Sequence, residues 1–332
     1  MKNPTEPAAS ASGASTLTTG VSVQVQTLDR TSLRPATIGA DLIGAIEDGI
    51  YRELIRPLAK RGAIEIVSPR FATIGELRQN MQAIRGYLST LAGAFGIVVA
   101  GGGCPPLSAG GAATAAGQLF SLHLRIGCPD GVLADYLCAA WQRYLPQLIA
   151  LSAASPFHAG GDTECASYRA RTLEELDPDQ HARVCRDAAD GIEIRVCDAP
   201  LNLDTAVDLA AYAQALSAYL LAEVPAADDA AIFDPRLARL QAARFGLDGL
   251  LGTHDDGQTI GQDILATIER LRLAAYPAEN GRAFDRIEEQ VLACGTDATT
   301  MRSYLRSDRA MTTMLAHLAQ TWASARHDKR IG

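Results

Sequence analysis

The sequence predicts an α+β fold in which helices cover one open β-sheet. Segments that alternate apolar and polar residues recur through the first 200 residues, and stretches of helical spacing separate them. Beyond residue 200 only helical spacing continues. Strands separated by helices, followed by a helical C-terminal half, are typical of this fold class.

The predicted strands begin with TGVSVQVQTLD at 19–29, where Val21, Val23 and Val25 alternate with polar residues. Such alternation predicts a strand with one buried face. Further strands are predicted at 62–69, 96–106, 119–129 and 191–198. The GGGC stretch at 101–104 has neither the G-x-G-x-x-G pattern nor a GK[ST] ending. We therefore expect a turn in which backbones approach closely, rather than a phosphate loop.

Helical spacing predicts three helices among the strands and a C-terminal half built of helices. The predicted helices lie at 38–59, 74–95, 130–153, 203–224, 234–251 and 259–276, with two more before the C-terminus. Residues 156–171 are interpreted as a loop, and 173–190 as an acidic, polar segment. The Ala/Ser/Gly/Pro-rich residues 1–17 are predicted to be a disordered tail, and residues 18–330 a single domain.

The composition excludes several functional classes. With 30 Lys+Arg against 38 Asp+Glu, the net charge of −8 provides no general basic field for nucleic acid or anionic membranes. Seven scattered cysteines without a C-x-x-C pair argue against a disulfide framework or a structural zinc site. The N-terminus lacks the apolar core of a signal peptide, and no apolar run is long enough to span a bilayer. We expect a cytoplasmic globular protein that binds neither nucleic acid nor membranes.

The stretch GIEIRVCDAP carries the clearest chemical pattern. Glu193, Arg195 and Cys197 alternate with apolar residues, so one face of the predicted strand carries an acid and a base two residues apart. A planar guanidinium binds phosphate or carboxylate oxygens in bidentate fashion, so an arginine on this face suits an anionic ligand.

Two other predicted strands repeat this arrangement. His123 and Arg125 share one face of their strand, and Glu65 stands between isoleucines in AIEIV. If these strands face one cleft, a histidine and two carboxylates suit Mg²⁺ that carries nucleotide phosphates. The alternative is that each is an ordinary surface or hydrogen-bonded residue of its strand.

Nucleophilic catalysis finds less support. The chain has no G-x-S-x-G elbow, which argues against a serine hydrolase. A cysteine nucleophile at Cys197 or Cys128 would need a histidine partner, for which His123 is the candidate.

Several stretches together resemble the signatures of one enzyme family. IALSAASPFHAGGDTECASYR, GIEIRVCDAPLNLDTAVDLAAYAQAL and RLQAARFGLDG are similar to motifs of the carboxylate–amine ligases of the glutamate–cysteine ligase type 2 family. GGGCPP resembles that family's GGGTHP, and FSLHLRIGCPD resembles its FGQHVHVGCPD. The resemblance runs, with gaps, from about residue 18 to the C-terminus. It implies the glutamine-synthetase-like ligase fold, in which a curved antiparallel sheet forms a funnel.

The resemblance also implies a chemistry. ATP would phosphorylate a carboxylate in the presence of Mg²⁺, and an amine would attack the acyl phosphate to form an amide. ATP and Mg²⁺ are therefore the implied cofactors, and the implied ligand is an amino acid or another small carboxylate. A homodimer is included among the expected assemblies. Motif by motif, the resemblance implies metal binding by Glu65, His123 and Glu193.

Four arginines receive roles from the same comparison. Arg195 falls on the arginine of the family's strand motif, which binds phosphate or substrate, and Arg239 and Arg244 fall on the two arginines of NRF.ACR. The resemblance thus implies cofactor binding by these three and a catalytic role for Arg195 and Arg244. Arg125 stands where the family has a second histidine, and we expect it to act catalytically by partly replacing a cation.

The departures from the family pattern lie at its acids. Ser22, Gln24 and Leu58 stand where the family carries carboxylates, and Arg61 replaces a glutamate. Because each lost carboxylate removes a ligand for a hard cation, we expect weak or absent Mg²⁺-dependent nucleotide binding and an anion-seeking cleft. Two hypotheses stay open. One is a divergent ATP-dependent carboxylate–amine ligase; the other is an inactive or repurposed member that binds an anionic small molecule or a protein partner.

Overall fold

The computed structural model describes most of the chain. The described residues are 17–36, 39–46, 49–58, 62–107, 119–128, 130–176, 183–187, 190–222, 234–252, 257–274, 278–306 and 310–324. The predicted tail therefore lies outside the described residues except for Leu17. That leucine is buried, and its carbonyl accepts a 2.6 Å hydrogen bond from Gln214 Nε2.

Nine strands are described, and every pairing between them is antiparallel. They are β1 (Thr18–Asp29), β2 (Ile55–Pro57), β3 (Ala63–Val67), β4 (Ile97–Ala100), β5 (Ser121–Gly127), β6 (Phe157–His158), β7 (Gly161–Asp162), β8 (Val184–Asp187) and β9 (Gly191–Asp198). Seven form one sheet in the order β2-β3-β1-β5-β9-β8, with β4 also paired to β1; β6 and β7 form a separate hairpin. The valines of β1 are fully buried, as their alternation predicts.

Helices cover the apolar side of the sheet. They are α1 (Gly39–Gly44), α2 (Gly49–Leu54), α3 (Ile74–Ala94), α4 (Gly131–Ala140), α5 (Leu145–Leu151), α6 (Tyr168–Leu176), α7 (Leu203–Ala222), α8 (Pro235–Phe245), α9 (Ile260–Leu273), α10 (Ala278–Leu292), α11 (Asp297–Leu305) and α12 (Met311–Ala323). Helix α7 is buried along most of its length because it packs against β1, β5, α3 and α10. None of the helices in the described segments is both long enough and apolar enough to cross a bilayer.

Two of the predicted helices are interrupted. In place of a helix over 38–59, the structure has α1, α2 and the short strand β2. The helix predicted over 130–153 is divided by a 3₁₀ turn at Trp141–Arg143, just before Pro146. Proline has no backbone N–H and is tolerated only in the first turn of a helix, so Pro146 lies in the first turn of the new helix α5, which begins at Leu145.

Four further predictions need correction. Helix α6 begins inside the predicted loop 156–171, and strand β8 lies in the acidic, polar segment 173–190, for which no strand is predicted. The helix predicted over 234–251 ends at Phe245 because Gly246 adopts a φ of 61°, which favours glycine and terminates helices. After α9 there are three described helices rather than two.

Candidate functional site

One face of the central sheet collects the polar side chains. In the strand register, Ser22 pairs with His123, Gln24 with Glu65, and Arg125 with Glu193. Directly paired residues project from the same face of a sheet. Glu65, His123 and Glu193 therefore share one face, which we call the polar sheet face (Ser22, Gln24, Glu65, His123, Arg125, Glu193 and Arg195).

Glu193 lies at the centre of a chain of contacts on this face. His123 Nδ1 lies 3.0 Å from Glu193 Oε1, and Ser121 Oγ lies 2.9 Å from His123 Nε2. Arg195 Nε donates to Glu193 Oε2 at 2.9 Å. Burial alone would raise the pKa of Glu193, but the hydrogen bonds from His123 and Arg195 outweigh it and lower the pKa to about 2. This carboxylate is therefore ionised and already paired with two nitrogen donors.

The predicted metal ligands do not converge. Both oxygens of Glu193 are engaged, by His123 and by Arg195, and Glu65 Oε1 accepts a 2.6 Å hydrogen bond from Ser22 Oγ. Across the described segments, no group of three or more His, Cys, Asp or Glu side chains is positioned to hold a metal ion. A Mg²⁺ ion needs about six oxygen ligands, several of them ionised or water. As placed, these residues do not fit the Mg²⁺ ion that the resemblance implies.

Arg125 is paired with Asp187, a residue of strand β8, and the sequence predicts no strand there. Its Nε donates to Asp187 Oδ2 at 3.1 Å, and Arg70 Nη1 lies 3.6 Å from the same oxygen. The positive charge that Arg125 brings to the face is thus offset by Asp187. Leu58 is partly buried against the hydrophobic core, and Arg61 lies outside the described residues.

A cavity of about 260 Å³ opens beside the polar sheet face, and we call it the sheet-side cavity. His123 and Arg195 line one side of it, and the opposite side is formed by α5 and α6. The remaining lining residues are Ile149, Arg169, Ala170, Leu173, Glu174, Arg183 and Val196. Arg169 is buried and holds this wall against the strand, since its guanidinium donates to the carbonyls of Val196 and Arg195 at 3.0 and 2.9 Å.

The two arginines predicted on α8 have different surroundings. Arg239 is almost fully buried, and its Nε donates at 2.8 Å to Glu174 Oε1, an oxygen that Arg183 Nη2 also contacts at 2.8 Å. Arg239 supports a lining residue of the sheet-side cavity without lining it. Arg244 is exposed and lines another cavity of about 410 Å³, which shares no lining residue with the first.

Strand β9 carries an irregularity that the alternation could not predict. Its register with β5 shifts between Leu122 and Leu124, so Cys197 pairs with Leu122 on the apolar side. Burial raises the pKa of the Cys197 thiol to about 12, which leaves no thiolate near neutral pH. The hypothesis of a nucleophile at Cys197 is therefore wrong for this structure, and Cys128 is buried as well.

Asp198 is the residue that sequence reasoning missed. It is fully buried, and its carboxylate accepts hydrogen bonds from Ser155 Oγ (2.6 Å), Ser167 Oγ (2.9 Å) and the backbone N–H of Ala154 (2.9 Å). Burial raises its pKa despite these contacts and the nearby guanidinium of Arg169. Asp198 thus ties two loops to the end of β9.

The glycine-rich turn packs against the same strand end. A Cβ at Gly101 would lie 1.9 Å from the carbonyl oxygen of Pro200, and one at Gly103 would lie 2.4 Å from the carboxyl carbon of Asp198. Only glycine allows an approach of this kind. The interpretation of GGGC as a turn of close backbone approach is confirmed.

Comparisons with known proteins place the chain in a family. The family model described as "Glutamate-cysteine ligase family 2 (GCS2)" matches residues 18–189 and 181–316. The chain belongs to this family. Two curated relatives named "Putative glutamate--cysteine ligase 2-1", from Legionella pneumophila (strain Corby), and "Putative glutamate--cysteine ligase 2", from Cronobacter sakazakii, are 27% and 25% identical. The matches cover 94% and 92% of this chain and 95% and 97% of the relatives.

Solved structures agree on the fold. A glutamate–cysteine ligase from Francisella tularensis, in complex with AMP, matches with a TM-score of 0.65 at 10% identity, over 94% of this chain and 90% of that one. A bifunctional glutathione synthetase from Pasteurella multocida matches with a TM-score of 0.62 at 12% identity, over 93% of this chain and 51% of that one. This family member therefore has the α+β, glutamine-synthetase-like ligase fold that the motifs imply.

Proposed function

We propose that this member of glutamate–cysteine ligase family 2 is an ATP-dependent carboxylate–amine ligase that acts on an amino-acid carboxylate. The observation that carries the proposal is the chain of contacts Ser121–His123–Glu193–Arg195, which lies on the central sheet beside a cavity. Relatives in the same family have names that describe them as ligases. Family membership over residues 18–316 supports the reaction class. The AMP bound to the Francisella ligase supports an adenine nucleotide as the second substrate.

The sheet-side cavity supports the carboxylate substrate rather than the nucleotide. Its volume of about 260 Å³ lies just below the range of about 300–1,000 Å³ typical of small-molecule sites. An amino acid fits such a space, whereas a nucleotide triphosphate exceeds it. The side chain of Arg195 is 40% exposed at the cavity, so its guanidinium can bind a substrate carboxylate while Glu193 orients it. His123, held by Glu193, is placed to exchange a proton with a reacting group in the same cavity.

Product formation tests the proposal directly. The full chain is incubated with ATP, MgCl₂, glutamate or another amino acid, and a panel of amines that includes cysteine. Release of ADP and the mass of the conjugate are measured. Arg195→Gln is expected to lower the rate at least tenfold, because it removes a charge-assisted contact to the substrate. Arg186→Gln, on the neighbouring strand and exposed, is the matched control and should leave the rate unchanged. If no substrate pair yields ADP together with a conjugate, the ligase proposal is wrong.

A second candidate function is anion binding without ligase activity. It is favoured because the predicted metal ligands are engaged in other contacts. Glu193 is paired with two nitrogen donors, and no described cluster holds a metal. Under this candidate, glutamate or citrate raises the Tm in the presence of EDTA, and ADP never forms.

Restoring the missing acids separates the two candidates. Ser22→Glu with Gln24→Glu adds two carboxylates to the polar sheet face, next to His123 and Glu65 in the strand register. If the site has lost only its acids, calorimetry should detect Mn²⁺ or Mg²⁺ binding that the unmodified chain lacks, and ligase turnover should rise. A variant that folds but binds no metal would instead support the anion-binding candidate.

A further inference from the structure

Glu174 lines the sheet-side cavity with a carboxylate that is only half satisfied. Its Oε1 accepts a 2.8 Å hydrogen bond from Arg239 Nε and lies 2.8 Å from Arg183 Nη2. Its Oε2 is buried, and no hydrogen-bond donor among the described residues reaches it. A buried acceptor without a donor costs free energy, which a bound ligand recovers if it brings an N–H or O–H group. The cavity therefore suits a ligand that carries such a donor.

The positive charges around the cavity differ in how accessible they are. Arg169 and Arg183 are buried, and their guanidinium groups already contact backbone carbonyls and Glu174. Arg195 has a side chain that is 40% exposed, the largest value among the described basic residues of the lining. A guanidinium binds a carboxylate through charge-assisted hydrogen bonds. The described lining thus offers one accessible guanidinium, for one carboxylate of a ligand.

The other described lining residues are apolar. They are Ile149, Ala170, Leu173 and Val196. All of them are buried except Leu173, which is half-buried on helix α6. A second ligand carboxylate against these side chains would lose its hydration without gaining a partner, which is costly for an ionised group. An apolar ligand side chain would instead be stabilised there, because its surface leaves water.

We propose that the sheet-side cavity binds an α-amino acid with an uncharged, apolar side chain. Arg195 binds its carboxylate, Glu174 binds its ammonium group, and Leu173 with the neighbouring apolar residues packs against its side chain. A zwitterion suits this lining because each of its charges meets a group of opposite sign. The inference rests on the proposed function, whose carboxylate substrate it specifies. It separates that substrate from a dicarboxylic amino acid such as glutamate.

Calorimetric titrations of the full chain, in EDTA and without ATP, test the site with four matched probes. They are L-leucine, isocaproate (leucine without its ammonium group), isopentylamine (leucine without its carboxylate) and L-glutamate. Leucine should bind about tenfold or more tightly than isocaproate or isopentylamine, because each of these lacks one charge-assisted contact. It should exceed glutamate by about tenfold as well, because the second carboxylate of glutamate would face apolar side chains.

Variants assign the contacts to residues. Glu174→Gln should weaken leucine binding by about tenfold and leave isocaproate binding unchanged. Since Glu174 also holds two buried arginines, Leu173→Ala provides a test that keeps every ionic contact. It should weaken leucine binding by about tenfold and leave glycine binding unchanged, because only an apolar contact is lost. Glu175→Gln is the matched control, since Glu175 is the next residue, is 56% exposed and lies outside the described lining.

The opposite results would overturn the inference. Glutamate binding more tightly than leucine would show a second cation available to ligands and would refute the apolar side chain. Equal affinities for leucine and isocaproate would remove the role of Glu174. Absence of leucine binding would also contradict the proposal. Because these titrations contain no ATP, they separate the two proposals. Leucine binding without any ADP release in the ligase assay would refute the ligase alone, and turnover of glutamate without leucine binding would refute this inference alone.

Discussion

Two carboxylates on strand β9, five residues apart, have opposite surroundings. Glu193 lies beside a cavity, retains 14% side-chain exposure and is paired with His123 and Arg195. Asp198 is fully buried and is held by two serine hydroxyls and a backbone N–H, with Arg169 Nη1 at 3.9 Å. The pKa of Glu193 is lowered to about 2, because its hydrogen bonds outweigh burial, whereas burial raises that of Asp198.

The difference shows how one strand supplies both a site and its support. A carboxylate with cationic partners at a cavity stays ionised and can orient those partners toward a ligand. A carboxylate surrounded by hydroxyls in the interior fixes the loops that donate to it. We therefore expect substitutions of Asp198 to affect mainly folding, and substitutions of Glu193 to affect mainly the acid dependence of stability and ligand binding.

Asp198→Ala should give the largest loss of stability. It leaves the hydroxyls of Ser155 and Ser167 buried without their acceptor and the buried Arg169 without the carboxylate at 3.9 Å, and removing one member of a buried charged network costs about 3–5 kcal/mol. Urea unfolding followed by circular dichroism measures this loss. Asp135→Ala is the control: its ion pair with Arg186 has side chains 70% and 51% exposed, and such surface pairs contribute about 0–1 kcal/mol. Equal losses in the two variants would contradict the supporting role of Asp198.

Glu193→Gln should remove part of the acid sensitivity of the fold. Because the folded-state pKa of about 2 lies below the unfolded value of 4.5, the contribution of Glu193 to stability is complete above pH 4.5 and is lost as the pH falls toward 2. The fall of the pKa from 4.5 to about 2 corresponds to about 3 kcal/mol. The free energy of unfolding of the variant, measured in urea from pH 2.5 to 7, should thus vary less below pH 4.5.

The sign of this effect distinguishes the two carboxylates. Because the folded-state pKa of Asp198 is raised, the fold loses stability as the pH rises through that value and the carboxyl group ionises. The neutral side chain in Asp198→Asn should remove this loss of stability at higher pH. Glu175→Gln, whose side chain is 56% exposed, serves as the control and should leave the profile unchanged. A Glu193→Gln profile that matches the unmodified chain at low pH would show that the pairing with His123 and Arg195 does not form.

Much of the polar sheet face could be predicted from the sequence. Apolar and polar residues alternate in AIEIV, in the strand with His123 and in GIEIR, and this alternation predicts which side chains share a face of each strand. The order of the motifs identifies the family, and the family's fold implies how the strands pair. What alternation could not predict is the register shift between Leu122 and Leu124, because a bulge depends on the partner strand. That shift moves Cys197 to the apolar side and allows Asp198 to face the serines.

Other site features depend on contacts between distant segments. Asp187, the partner of Arg125, lies on β8 in a stretch without strand periodicity, so pattern alone predicted no strand there. The sequence alone could have predicted that Arg239 and Arg244 do not line the same cleft. At 3.6 residues per turn, positions five apart differ by about 140° around a helix, so both could not line one narrow cleft.

Removing one serine from the Asp198 network should cost less than removing the acid. Ser167→Ala deletes a 2.9 Å donor to Asp198 and the Oγ that accepts from the N–H of Ala170. The loss of one buried hydrogen bond is about 1–2 kcal/mol, since Ser155 and Ala154 still donate to the carboxylate. Urea unfolding checks the value, with exposed Ser32→Ala, near the end of β1, as the control. A loss as large as that of Asp198→Ala would mean that the network acts as one unit.

Ser121→Ala should have the smallest effect, because Glu193 rather than Ser121 determines the tautomer of His123. An ionised carboxylate can only accept, so Nδ1 must carry the proton that points to Glu193, and Nε2 of the neutral ring then accepts from Ser121 Oγ. Without the hydroxyl, Nε2 faces a cavity where water can replace the donor, and we expect a loss of about 0.5–1 kcal/mol. Nitrogen-15 NMR of the imidazole at pH 8 reports the tautomer: its shifts should keep the Nδ1–H pattern in Ser121→Ala and change in Glu193→Gln. If Ser121→Ala alone reverses the tautomer, the serine controls His123, and Glu193 serves mainly to pair with Arg195.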